Sequence, residues 1–264
     1  MMKHSFVFRI LAVFLLVCAG MQIHAETLAQ KDAEKLLALA DKNTSFAGTD
    51  FAGDYIIVKE EVDGAKSVQT ARMYRRDSNS AYTILLTSPD DRGKGYVQYD
   101  NTIWFYDPHD KQFVLTSAKD KFENSNANTG DFTPQHYSRD YAIVSAQTVK
   151  LGTLSCVVFD LKAKIKDVSY PKIKVWVTAD DGLIRKKEDY SLSGQLLRTT
   201  AIPSYQKFGK NSVPDKMLIV DNLRKMEING KMQYEKTQVT ITNVSFAKQS
   251  STIYTKKYIE MMSE

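Results

Sequence analysis

After Gly53 the chain is a succession of short stretches rich in β-branched and aromatic residues, each closed by a turn signal. That punctuation limits what the chain can fold into. Residues 54–62 meet 66–76 across Asp63-Gly64, a dipeptide suited to a tight hairpin turn. The stretch 81–87 closes at Ser88-Pro89-Asp90-Asp91, 95–99 and 102–106 flank Asp100-Asn101, and Asp107-Pro108-His109-Asp110 turns into 112–116. Further on, 141–149 and 153–163 join around Gly152, and the alternating segment 173–177 turns at Asp180-Asp181-Gly182 into 183–192. Ser193-Gly194 then turns into 195–202, and Asn229-Gly230 links two long strands near 217–228 and 232–244. Parallel strands need a crossover of about a dozen residues or more, and dipeptide turns leave no room for one. The pattern predicts an antiparallel meander of about a dozen strands, with mainly β structure.

Two segments depart from it. Residues 27–42 combine Leu28, Leu36, Leu37 and Leu39 with Ala and Lys and contain neither Gly nor Pro, which predicts one N-terminal helix ended by Thr44-Ser45 and Gly48. Residues 117–140, with the polar run from Asn124 to Gly130, carry no strand pattern. An interruption of that length in a compact domain marks a functional lid or a mobile loop.

Several strands are apolar on both faces, among them Tyr55-Ile56-Ile57-Val58, Ile84-Leu85-Leu86, Trp104-Phe105-Tyr106 and Met217-Leu218-Ile219-Val220. A sheet with one wet face alternates cleanly. Either this sheet curls around its own filled core, or it lines a cavity for an apolar guest.

Residues 1–25 read as an export leader. Lys3 and Arg9 give a positive start, Phe6 to Met21 is apolar apart from Arg9 and Gly20, and Ile23-His24-Ala25 ends in a small residue, so cleavage before Glu26 leaves 26–264 as a single domain. The rival reading is a lipoprotein signal cut at Cys18, after Leu15-Leu16-Val17, though Val17 is bulky for that position. The formal net charge of +5 includes Lys3 and Arg9, and the other basic residues are interleaved with acidic ones. No clustered basic patch of the kind nucleic acid requires is present in the sequence. Cys156 is alone beyond the leader, which excludes an internal disulfide and a multi-cysteine zinc site.

Signatures of catalysis are missing. His109 and His136 fit no HExxH pattern, and neither a GxSxG elbow nor a phosphate-binding glycine loop opening a helix occurs. Arg92-Gly93-Lys94-Gly95 leads into a strand. Ser204-Tyr205-Gln206-Lys207 has an acylase spacing without its partner motifs, and Asp90-Asp91 and Asp180-Asp181 are turn residues. The chain reads as a non-enzyme with neither cofactor nor metal.

The stretch Thr102-Ile103-Trp104-Phe105-Tyr106-Asp107-Pro108 resembles the TLWFYDP strand of the LolA-type lipoprotein carriers. The leader, the N-terminal helix and the hairpins around it agree. Arg92-Gly93-Lys94-Gly95-Tyr96, the run from Phe132 to Tyr141 and the run from Trp176 to Ile184 are similar to the longer branch of that superfamily, labelled outer membrane lipoprotein-sorting protein. The resemblance spans most of 27–245. It implies a half-open antiparallel β-barrel capped by an N-terminal helix and a helical or loop lid. Its apolar cavity would shield acyl chains of lipoproteins or phospholipids in the periplasm, between an inner-membrane transporter and an outer-membrane acceptor. The family's lid-holding arginine after the second strand matches Arg76, with Asp77 where the family has proline. For the cavity wall the expected residues are Trp104, Tyr106, Trp176, Met217 and Ile219. Alternation separates Trp104 and Tyr106 from Phe105 without saying which set faces in; the family pattern favours Trp104 and Tyr106. The alternative function is a periplasmic adaptor or sensor of the same fold, with a filled core, that binds a membrane exporter or envelope protein.

Overall fold

The computed structural model describes residues 27–46, 48–76, 81–99, 102–166 and 168–264. The leader, Cys18 and Asp77 lie outside the described residues. The hairpin punctuation is realised as one sheet of 13 strands. These are β1 (Asp50–Glu60), β2 (Lys66–Arg76), β3 (Ala81–Leu86), β4 (Gly95–Tyr99), β5 (Thr102–Asp107) and β6 (Gln112–Thr116), then β7 (Tyr141–Leu151), β8 (Leu154–Ala163), β9 (Lys172–Thr178), β10 (Ile184–Tyr190), β11 (Leu196–Phe208), β12 (Asn211–Ile228) and β13 (Lys231–Ser245). Their order across the sheet is β6-β5-β4-β3-β2-β1-β13-β12-β11-β10-β9-β8-β7. The first strand pairs with the last at the centre, antiparallel, with Asp54 opposite Thr242 and Glu60 opposite Lys236. The two edges, β6 and β7, are consecutive in sequence and unpaired with each other, so the barrel is half open and the segment 117–136 joins its edges across the mouth.

Helix α1 (Gln30–Ser45) starts and ends three residues later than the composition suggests. Thr27 is taken up by a bridge to Gln147 on β7. The hydroxyls of Thr44 and Ser45 donate to the helix carbonyls of Asp41 and Lys42, so they extend the last turn rather than end it. Phe46, at φ 56°, is the left-handed residue that closes it. Ala33, Leu37 and Ala40 pack this helix onto Val157, Phe159, Val175 and Val177 of β8 and β9. Asn43 ties it to the β9–β10 turn by donating to the carbonyls of Asp181 and Gly182. Gly182 is required there: its φ is +67°, and a Cβ would stand 2.6 Å from Leu39 Cγ. A short helix α2 (Tyr137–Asp140) precedes β7, and its first amides, of Tyr137 and Ser138, donate to the Asp41 carboxylate of α1.

The C-terminal helix α3 (Lys256–Ser263) explains much of the two-sided apolarity. Along β3, β4 and β5 alternate residues go to different cores. Ile84, Tyr96 and Phe105 join the cluster that contains Tyr55, Met73, Phe122 and Ile241. Leu85, Val97, Trp104 and Tyr106 pack with Ile259 and Tyr258 of α3 on the other face. The second apolar face of these strands is thus covered by a helix.

Candidate functional site

Between the inner face of the sheet and the segment 117–136 lies a cavity of about 130 Å³. Its floor is apolar and comes from the central strands: Phe51 and Tyr55 of β1, Met217 and Ile219 of β12, Val239 and Ile241 of β13. Period-2 alternation places these residues on one face. The C-terminal end of α1 contributes Ala40 and Phe46, and the lid contributes Ala127 and Phe132. Asp131, Lys187, Arg75 and Tyr137 are among its polar lining. Burial pushes the Tyr55 hydroxyl up to about 12, so it stays neutral.

The lid is docked by aromatic packing and by a set of polar clamps. Phe122 is fully buried, its ring centroid 5.1 Å from Tyr96 and 4.6 Å from Phe132. Tyr96 donates to the Glu123 carboxylate at 2.7 Å, Lys59 to Asn124 at 3.1 Å, and the Asn126 amide to the Thr237 hydroxyl at 2.9 Å. The strongest clamp is Arg198 on β11, only 2% exposed. Its Nε donates to Asp189 at 2.8 Å, and its two terminal nitrogens form a fork on both oxygens of the lid residue Asp131. One of them also donates to the Asn126 carbonyl at 3.2 Å. Lys187 lies 3.2 Å from Asp189 and 3.8 Å from Asp131. Burial alone would push the Asp131 carboxyl up. The charges of Arg198 and Lys187 outweigh that and hold it well below the usual carboxylate range.

The residues expected from the sequence divide. Met217 and Ile219 line the cavity. Trp104 and Tyr106 do not: they are on the α3 face, with Lys256 Nζ 3.1 Å from the Trp104 ring centroid, and Ile103 and Phe105 are the residues of that strand on the lid side. Trp176 lies on the face away from Val175 and Val177, under Lys186, whose Nζ is 4.5 Å from the ring. The contacts of Arg76 are with Asp50 and the segment before α3 rather than with 117–136. It grips Asp50 through two hydrogen bonds of 2.8 and 2.7 Å and donates to the Gln249 carbonyl, holding the segment that leads to α3. The reason is again alternation: its neighbour Arg75 is the one turned inward, donating to the Thr44 carbonyl at 2.6 Å and lying over the Phe46 ring. Arg198 escaped the sequence reading. Its signal is an arginine sharing a strand face with Leu196 and Ile202, where a charge needs a buried carboxylate.

Among the described residues, no group of three or more His, Cys, Asp or Glu side chains is placed to hold a metal. No helix among them is long and apolar enough to cross a membrane.

A family model described as "Uncharacterized protein" matches residues 77–261. No curated protein matches the chain. Among solved structures, a LolA superfamily protein from Nitrosomonas europaea is 20% identical, with 86% of this chain and 98% of that one covered and a TM-score of 0.70. An outer membrane lipoprotein-sorting protein domain from Vibrio parahaemolyticus is 16% identical, with 86% and 99% covered and a TM-score of 0.73. A DUF1329 family protein from Desulfovibrio piger is 14% identical, with 87% and 98% covered and a TM-score of 0.74. At these identities the likeness is one of fold, the LolA-type half-open barrel.

Proposed function

We propose that this chain, which belongs to the family whose model matches residues 77–261, is a non-enzymatic carrier of acyl chains in the periplasm. The observation that carries the reading is the construction of the lid. A segment joining the two free edges covers an apolar cavity, and it is fastened there by discrete polar clamps as well as by packing. A carrier needs this, because each methylene exposed to water costs about 0.8 kcal/mol and a cavity removes that cost. The cargo class is lipoprotein or phospholipid acyl chains, taken from a membrane donor and handed to an outer-membrane acceptor. Met217 and Ile219 form part of the wall that receives the chain. Export through a leader cleaved before Glu26 puts the protein where such traffic occurs.

The cavity is small. At about 130 Å³ it compares with the roughly 150 Å³ apolar cavity that takes benzene, and falls short of the ~300–1,000 Å³ of a drug-sized pocket. Cargo therefore enters by displacing the lid, with Phe122 and Phe132 vacating the concave face. That same small volume favours a second reading, an adaptor of this fold that works with its core filled and binds an envelope protein. Lipid extracted from the purified native protein, identified by mass spectrometry, supports the carrier. A lipid-free preparation that also binds no fluorescent fatty-acid analogue refutes it. Intact mass of the native protein separates a chain starting at Glu26 from one acylated at Cys18.

A further inference from the structure

We infer that Lys187, at the cavity wall, and Arg198, buried behind the lid residue Asp131, together form the seat of an anionic head group on the cargo, and that in the closed state the Asp131 carboxylate occupies that seat. This rests on the carrier reading and narrows its cargo to amphiphiles bearing a carboxylate or phosphate.

The geometry begins with what Arg198 loses when the lid lifts. The guanidinium is held by Asp189 from the sheet and by Asp131 and the Asn126 carbonyl from the lid. Only Asp189 stays when 117–136 moves. The two terminal nitrogens, which grip Asp131 in a parallel fork, then lose their protein acceptors in a site where Arg198 was almost wholly excluded from water. A guanidinium fork matches the two oxygens of a carboxylate or phosphate. Lys187 stands beside it, within 3.8 Å of the Asp131 carboxylate. Both cations lie near the Tyr170 ring, whose centroid is 5.0 Å from Arg198 Cζ and 5.7 Å from Lys187 Nζ.

The charge balance points the same way. With the lid closed, Arg198 and Lys187 face Asp131 and Asp189, and the cluster is neutral. Lifting the lid removes one carboxylate and leaves two cations against one anion. Asp131 and Lys187 are also lining residues of the cavity, alongside Tyr55, Phe132 and Ile219, so the seat is continuous with the apolar wall. An amphiphile whose tail displaces Phe122 and Phe132 reaches this end with its head. A neutral head leaves the fork unpaired, and reclosure of the lid wins. An anionic head replaces Asp131 oxygen for oxygen.

The test compares cis-parinaric acid with its methyl ester, which share a fluorescent chain and differ in the head charge, at pH 7. The wild-type protein should bind the acid at least about tenfold more tightly, the difference expected of one charge-assisted pair. Arg198→Gln would strip the fully buried Asp189 of its partner and risks the fold, so the informative variants are Lys187→Gln and Asp131→Asn. Lys187→Gln should lower the acid-to-ester ratio severalfold. Asp131→Asn loosens the lid for both probes, yet it should raise the ratio, because it removes the competing carboxylate. Equal binding of acid and ester, with ratios unmoved in both variants, overturns the head-group seat and leaves the carrier standing. Binding of neither probe overturns the carrier reading and the seat with it. Displacement of the acid by oleate or by oleoyl lysophosphatidate, each measured against methyl oleate, then tells whether the head is a carboxylate or a phosphate, and displacement by both no better than by methyl oleate overturns the seat.

Discussion

Phe122→Ala is the substitution that isolates the lid from the rest of the fold. The side chain is fully buried, and truncating such a phenylalanine costs about 3–5 kcal/mol in general. Not all of that acts on docking. Phe132, 4.6 Å from the Phe122 ring, moves with the lid, whereas Tyr96, 5.1 Å away, belongs to β4 and stays. Assigning about half of the contacts to the lid–sheet boundary leaves ~1.5–2.5 kcal/mol, which at 1.4 kcal/mol per decade is an opening equilibrium raised about 10- to 60-fold. The readout is native-state amide hydrogen exchange. The Asn126 amide donates across the boundary to Thr237, so its protection reports docking directly, while the paired amides of β1 and β13 report the sheet. Exchange at Asn126 should accelerate by that factor with the sheet amides unchanged, and association of a fluorescent fatty-acid analogue should quicken in proportion. Faster exchange without faster association would show that the lid is no gate. Unchanged exchange would show that Phe122 does not hold it.

Filling the cavity should block it without unfolding the protein: Ile219→Trp, placed in about 130 Å³ of existing space, is expected to cut probe affinity tenfold or more at unchanged urea midpoint, on the order of 1.4 kcal/mol of binding. Trp104→Ala should do the reverse. It undercuts α3, lowering stability by about 2 kcal/mol for a half-buried ring, and a fall in probe affinity beyond twofold would contradict its placement away from the cavity. Acidification should leave the lid closed over a wide range. The depressed Asp131 carboxyl contributes stability that is fully present above the ordinary carboxylate value and lost only as pH falls through its lower folded value. Glu123, raised by burial, works in the other direction, since protonation relieves its cost. Lid protection, corrected for intrinsic exchange, should therefore be undiminished between pH 7 and about 5, and a loss across that interval would refute the clamp.

Most strands of this fold can be read from the turns. Asp63-Gly64, Gly152, Ser193-Gly194 and Asn229-Gly230 each sit between strands that pair, because hairpin geometry is local and the residues that permit positive φ are few. What could not be read is which face a strand turns inward. Trp104-Phe105-Tyr106 and Arg75-Arg76 each offer two opposite assignments one residue apart, and the choice is made by partners distant in sequence, α3 for the first pair of faces and the end of α1 for the second. Met217 and Ile219 were legible because one face of β12 meets the interior whatever covers the other. Arg198 was hidden for a related reason. Its acceptors lie on β10 and in the lid, and nothing in the order of residues along β11 announces them.

The pairing of β1 with β13 sets a limit on how the chain can acquire its structure. Each flank of the sheet, β1 to β6 and β7 to β13, is a ladder of neighbours in sequence and can form as soon as its own residues are present. The central seam cannot, because Asp54 must wait for Thr242. Closing so long a loop comes late and slowly. Until then the free sides of β1 and β13 are open templates with unpaired backbone. A chain truncated before Lys231 would keep β1 to β6 and β7 to β12 but lose the strand that joins them, so the seam, rather than either flank, is where the molecule becomes a single cooperative unit.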